Sequence, residues 1–224
     1  MTIAKVLEVF DILQDKYGAP YFPSEWKVDM FNMSQYEYLH DLLPEEGGEG
    51  VNFDYDSNVT ATIQPLLWIV NVTMNSQGLL PTATIDTAIQ TASGDATASW
   101  FRIASIGFNS GTNVYPAQYI KENNLRSFQA NVFKAPSAPK NVRYNFVGNG
   151  IQFYPTAVSN TLSIKVIKNP RNVFVDENDS SNNVDPEWSD YVCYNIIAKM
   201  LKLAGVATDG QDLIQDVRLS SIAQ

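Results

Sequence analysis

The stretch from Asp185 to Gly205 constrains the fold most, because it is the best-punctuated helix in the chain. Asp185 is placed to cap the first free N–H groups, and Pro186 at the first helical position already has its φ set. Glu187 and Asp190 stand near the positive end of the helix dipole. Lys199 and Lys202 stand near the negative end, and Gly205 supplies a left-handed stop. Trp188, Tyr191, Val192, Ile196, Met200 and Leu203 recur at helical spacing, which predicts one apolar face. So apolar a helix needs partners, and the other strong helical patterns lie at the far N-terminus. The two ends of the chain are therefore expected to meet and bracket everything between them.

At the N-terminus, Thr2 precedes Ile3, Val6, Leu7, Phe10, Leu13 and Tyr17, which fall on one helical face and end at Gly18. Pro20 and Pro23 keep the next residues extended. Ser24 then opens a second helix whose apolar positions are Trp26, Met30, Met33, Leu39 and Leu43, stopping at Pro44. Met1 to Lys5 run straight into the first pattern, so no cleaved leader is expected. No apolar run approaches the roughly 20 residues that span a bilayer.

The charged, glycine-rich Glu45–Gly50 stretch marks a handover, and from Val51 the period changes. Val59–Ile63, Leu67–Thr73, Ala83–Ile85, Ala98–Ile103 and Ile106–Phe108 read as strands, being rich in β-branched and aromatic residues. Val142–Phe146 and Ile151–Tyr154 flank Val147-Gly148-Asn149-Gly150, the pattern of a β-hairpin. Leu162–Ile167 alternates and adds a further strand. The middle is thus expected to be an antiparallel block of roughly six to eight strands, sandwich- or barrel-like. Asp176–Asn183 is a polar surface loop, and Thr208 or Asp209 opens a last short helix with Leu213, Ile214, Val217 and Ile222. The fold class is α+β: helices from 1–46 and 184–224 in one bundle, with a β domain over 47–183 inserted between them. A chain of 224 residues is long enough for such a core plus insertion.

The composition excludes most chemistry. One cysteine, Cys193, rules out an intrachain disulfide or a cysteine zinc site, and inside the long helix it reads as a small buried hydrophobe. The single histidine, His40, lies on the polar side of the second helix near Glu37 and Asp41, so no nucleophile triad has its base. Walker, dinucleotide-binding, nucleophile-elbow and zincin signatures do not occur. Asp54-Tyr55-Asp56-Ser57-Asn58 opens like a calcium loop, but Val59 stands sixth and Pro65 twelfth. In Asp176–Glu187 the twelfth residue is a glutamate, yet Ser181 takes the place of the required glycine. No catalytic, cofactor-binding or metal-binding residue is therefore assigned, and no cofactor is expected.

The formal net charge of −9 argues against tight binding of nucleic acid over a broad surface, although such a chain could line a passage through which DNA slides. The charge is uneven. Lys121, Arg126, Lys134, Lys140, Arg143, Lys165, Lys168 and Arg171 stand against Glu122 alone between Tyr119 and Arg171, whereas Glu45–Asp56 and Asp176–Asp190 are wholly acidic. These are either solvated loops or complementary faces of neighbouring subunits. Phe128, Phe133, Tyr144, Phe146, Phe153 and Tyr154 interleave with the basic residues. On strands, such aromatics fill a sheet core more readily than they stack on bases.

The order of parts carries a resemblance. A helical hairpin opens the chain, its second helix following Tyr21-Phe22-Pro23-Ser24-Glu25-Trp26 and running through Met33-Ser34-Gln35-Tyr36-Glu37-Tyr38. A β-rich insertion contains Phe133-Lys134-Ala135-Pro136-Ser137, Asn149–Pro155 and Ile164–Pro170, and Asp185-Pro186-Glu187-Trp188 leads into the closing helix. This order resembles the head-to-tail connector proteins of tailed bacteriophages, the neck adaptor or ring proteins of crAss-like and related podoviruses. The resemblance implies a non-enzymatic virion subunit forming a homo-oligomeric ring, commonly of twelve copies. Such a ring docks to the portal protein, contacts neighbouring ring or tail proteins and surrounds the genomic DNA during ejection, with no membrane involved. The tail after Arg218 would be an arm that orders on assembly. A reading of another class is a soluble carbohydrate- or ligand-binding β-sandwich module, with Trp68 or Trp100 as its platform.

Overall fold

The structure, a computed structural model, describes residues 1–43, 57–110, 112–131, 134–156 and 161–206. The Glu45–Gly50 break, the carboxylates of Asp54 and Asp56, Phe133, the helix expected after Thr208 and the arm after Arg218 lie outside them. The described residues form a mixed α+β fold with six α-helices and two four-stranded sheets. They divide into two compact units, a terminal unit of 1–43, 57–65 and 170–206 and a central unit of 66–169.

The terminal unit holds α1 (Ile3–Tyr17), α2 (Ser24–Leu42), α3 (Ser57–Ile63) and α6 (Asp190–Leu203). Thr2 caps α1, its Oγ1 accepting from the Lys5 N–H at 3.3 Å, and Gly18 closes it with φ 62°. Ile3, Val6, Val9, Phe10 and Leu13 are buried. α6 buries Val192, Cys193, Ile196, Ile197, Met200 and Leu201, a broad face that burial alone stabilises by roughly 1.5–3 kcal/mol per large side chain. Two residues assigned to that face from spacing, Tyr191 and Leu203, point outward instead. The helix also starts later than its punctuation implies, with Ser189 as N-cap. Asp185 does not cap α6: its carboxylate accepts from the Ile3 N–H at 2.8 Å, capping α1 from the other end of the sequence. Asp190 receives the N-terminal ammonium of Met1.

α2 departs from its hydrophobic pattern over its first half. Leu39 and Leu43 are buried as expected, but Trp26 and Met33 are 61% and 57% exposed, and Lys27, Val28, Phe31, Ser34 and Gln35 are buried instead. The reason is the segment that re-enters the unit at Pro170, whose extended backbone is satisfied by α2 side chains rather than by a sheet. Gln35 Nε2 donates to the Arg171 carbonyl at 3.1 Å. Asn32 donates to the Val173 carbonyl at 3.2 Å and accepts from the Val173 N–H at 2.9 Å. Tyr36 donates to the Pro170 carbonyl at 3.3 Å. Buried backbone groups need partners, and here amides on a helix supply them.

Lys27 is the other polar residue drawn inside. Its ammonium lies 2.5 Å from Asp11 Oδ1 and 4.6 Å from the Tyr21 ring centroid, with the lysine side chain 3% and the aspartate 45% exposed. Removing the aspartate strands a buried charge. Asp11→Ala is expected to cost about 1–3 kcal/mol, less than for a fully buried pair because water reaches Asp11. Lys27→Met, which removes the charge and keeps the volume, is expected to stay within about 1 kcal/mol of the parent. Urea midpoints of the two variants decide this, and equal losses from both would show that the charge itself is not the costly group.

The central unit carries two sheets. In the first, the order is β1-β8-β3-β4, all antiparallel, from β1 (Leu67–Thr73), β8 (Thr161–Lys168), β3 (Trp100–Ser110) and β4 (Asn113–Pro116). The second runs β2-β7-β6-β5, from β2 (Leu79–Pro81), β7 (Gly150–Tyr154), β6 (Arg143–Val147) and β5 (Gln118–Tyr119). Its β5–β6 pair is parallel, so the block is not wholly antiparallel, and neither sheet closes into a barrel. Val70 and Val72 of β1, Ile164 and Val166 of β8, Ile106 and Phe108 of β3, and Ile151 and Phe153 of β7 meet in one core. Gly148 takes φ 55° in the β6–β7 turn, where a side chain would be strained.

Three strand assignments change. Val59–Ile63 belongs to α3, and Ala83–Ile85 opens α4 (Thr82–Ser93). α4 presents Ile85 and Ile89, one turn apart, to the core of the sheets, while the Thr87 and Thr91 hydroxyls bond back to the carbonyls four residues earlier. Tertiary burial outweighs the weak β-propensity of threonine there. The two strands expected between Ala98 and Phe108 are one, β3, whose register shifts at Trp100/Arg102 and Ile103/Ser105. Each bulge resets the alternation and mimics a strand end in the sequence. α5 (Glu122–Ala130), a nine-residue helix of about two and a half turns, has no counterpart in the pattern of the sequence.

Candidate interaction surfaces

The single cysteine and the single histidine stand on different helices. Cys193 is buried in α6, with its thiol facing the Trp188 carbonyl at 3.8 Å. Burial pushes the thiol up to about 11, and the Asp190 carboxylate adds to the shift. His40 is exposed in the last turn of α2. Among the described residues, no three His, Cys, Asp or Glu side chains converge as a metal site.

The acidic loop satisfies its own oxygens. The Asp176 carboxylate accepts from the Asn178 N–H at 2.9 Å, the Asp179 N–H at 3.2 Å and Asn182 Nδ2 at 3.0 Å. Asp179 accepts from the Ser181 N–H and hydroxyl at 2.9 and 2.7 Å. These bonds, the Asn182 amide foremost for Asp176 and the Ser181 hydroxyl foremost for Asp179, hold both carboxyls below the usual carboxylate range. The loop is built from Asx turns rather than from ligands aimed at one centre.

Trp68 and Trp100 are partly buried and packed against the core of the central unit. The aromatics interleaved with basic residues divide. Phe153 is core, Tyr144 packs on it at 5.9 Å between centroids, and Tyr119 and Phe146 continue the cluster to the surface at 5.8 and 6.1 Å from Tyr144. Phe128 of α5 stands apart, with the Arg143 guanidinium 5.2 Å and the Lys134 ammonium 5.9 Å from its ring centroid.

What the terminal unit offers instead is surface. Trp26 stacks on Phe22 at 6.4 Å, and both Trp26 and Met33 lie on the outer side of α2. Tyr191 and Leu203 are the outward residues of α6, beside a groove of about 540 Å³ between α2 and α6. That groove is crossed by the Lys199–Asp41 ion pair at 2.6 Å and by the Asn195 amide, which donates to the Tyr38 hydroxyl at 3.3 Å. A second groove of similar size lies between the start of α2 and the Phe174–Asn178 segment. The periodicity of α2 pointed to its aromatic and methionine positions but gave them the wrong role. The buried polar set on the opposite side was the available signal, and it has meaning only once the Pro170–Val173 partner is known.

No known protein family matches the chain, and none of the curated proteins matches its sequence. None of the described helices is long and apolar enough to cross a membrane.

Proposed function

We propose that the chain is a structural, non-enzymatic subunit of a phage neck ring, joining the portal to the tail and lining part of the DNA channel. In this reading the helices of the two chain ends form one bundle, and the strand-rich middle is the block that meets the next component. The observation that carries it is the set of large apolar side chains left outward on those helices: Trp26 and Met33 on α2, Tyr191 and Leu203 on α6. Aromatic and methionine side chains of this kind are enriched in the centres of protein interfaces. Ties between the two ends support the bundle: Asp185 to Ile3, Asp190 to Met1, and Asp41 to Lys199. The net charge of −9 suits a wall that DNA must slide past.

Native mass spectrometry of the full chain, alone and with portal-bearing particles, tests the proposal. A ring, or incorporation into particles, is expected. Trp26→Ala combined with Met33→Ala is expected to weaken that assembly at least about tenfold while far-UV circular dichroism stays unchanged. A chain that remains monomeric and never enters particles would refute the reading.

A further inference from the structure

The ring reading leaves open which surfaces meet, and two surfaces of this chain match each other. The first is α5 with its flanks. None of its residues is buried, and Leu125 and Phe128 are only half-buried. Arg126 lies on the helix, Lys134 and Lys140 follow it, and Arg143 opens β6. Arg143 and Lys134 both sit over the Phe128 ring, so the ring and its cations form one patch.

The second is the groove of about 540 Å³ between the start of α2 and the Phe174–Asn178 segment. Phe174 is 53% exposed there. Glu25, Asp29, Asp176 and Glu177 line it, and no lysine or arginine does. Asp176 is fixed by the three hydrogen bonds described above, so part of the negative wall is pre-organised. An apolar centre rimmed by carboxylates thus faces the same design in opposite charge.

Resting on the ring reading, we infer that the α5 patch of one copy docks in the Phe174 groove of the next. The two surfaces differ, so the contact is heterologous: each copy offers one patch and one groove. Repetition of a heterologous contact closes a ring when the rotation allows and otherwise runs on as a filament. Opposed charges on the rim set partner and register and make the contact salt-sensitive. A second copy is the favoured occupant because the chain is strongly acidic overall yet gathers its cations between Tyr119 and Arg171.

Charge reversal in the full chain tests this. Asp29→Lys with Glu177→Lys is one variant, and Arg126→Glu with Lys134→Glu is the other. All four side chains are exposed, and circular dichroism checks that both variants fold. Each variant alone is expected to weaken self-association, measured by sedimentation velocity, at least about tenfold. An equimolar mixture of the two variants is expected to recover assembly, because copies that alternate pair opposite charges at both contact types. The chain carrying all four reversals is expected to recover assembly. Carbodiimide coupling of mixed ¹⁴N- and ¹⁵N-labelled copies is expected to join Lys134 to Glu177 between isotopes.

Assembly that ignores both reversals, or couplings found solely within one isotope, overturns this inference and leaves the ring reading standing. Loss of binding to a labelled DNA duplex in Arg126→Glu/Lys134→Glu, with assembly unchanged, also overturns it and makes the patch a nucleic-acid surface. A parent chain that is monomeric at every concentration and in the presence of particles overturns both.

Discussion

Trp188→Ala is expected to destabilise the terminal unit by about 3–5 kcal/mol, the largest single-residue effect the structure implies. Trp188 is 2% exposed and precedes α6 by a short turn. Its ring meets Tyr38 edge-on at 5.9 Å, and its indole N–H donates to Gln35 Oε1 at 3.2 Å. Gln35 in turn donates to Asn32 Oδ1 and to the Arg171 carbonyl, each at 3.1 Å. Truncation therefore opens a large cavity and leaves a buried amide oxygen without its donor, two losses that add. Trp188→Phe separates them: it keeps most of the volume and removes the donor, for an expected cost of about 1–3 kcal/mol. Urea denaturation followed by far-UV circular dichroism measures both. A loss below about 1 kcal/mol in the alanine variant would show that the ends of the chain are held together elsewhere.

The second large effect concerns Cys193. Its thiol, raised to about 11 from 9.0 by burial, carries about a hundredfold less thiolate near pH 8 than the unfolded chain does. Alkylation by iodoacetamide in the native state is expected to be slower than in urea by at least that factor, since enclosure adds to the pKa effect. The same shift has a stability consequence of definite sign. The folded state retains the proton more strongly, so this contribution is complete below the unfolded value of 9.0 and is lost as pH rises through about 11. It amounts to about 2–3 kcal/mol by the top of that window. Tyr36 and Tyr38, also raised by burial in the same unit, act in the same direction. Alkaline titration of the urea midpoint should therefore fall steeply above pH 9 and stay flat between 7 and 9 as far as these groups are concerned. Equal alkylation rates in native and unfolded chains would contradict the burial of this thiol.

The surfaces were less legible than the elements. Trp26, Met30 and Met33 have the spacing of a core stripe, and a helix read alone assigns its apolar residues inward. In the fold the inward side of α2 instead carries Asn32, Gln35 and Tyr36, which bond the Pro170–Val173 backbone, so the opposite side with Trp26 and Met33 turns to water or to a partner. No local pattern encodes that exchange, because its benefit is the satisfaction of carbonyls about 140 residues away in sequence. α5 is not legible in the sequence for a related reason, since a helix with no buried residue carries little apolar periodicity.

The sequence by itself determined the elements whose signal is local. α1 runs between Thr2 and Gly18, β1 covers Leu67–Thr73, and the β6–β7 hairpin turns at Gly148, because caps, alternation and positive φ act within a few residues. Tertiary structure decided where free energy depends on distant partners. Threonine-rich Thr82–Ser93 became a helix when Ile85 and Ile89 found a core. Asp185, written like the cap of its own helix, caps α1 instead, 182 residues away. A carboxylate serves whichever unsatisfied N–H group the fold brings to it, and only the folded chain determines which one that is.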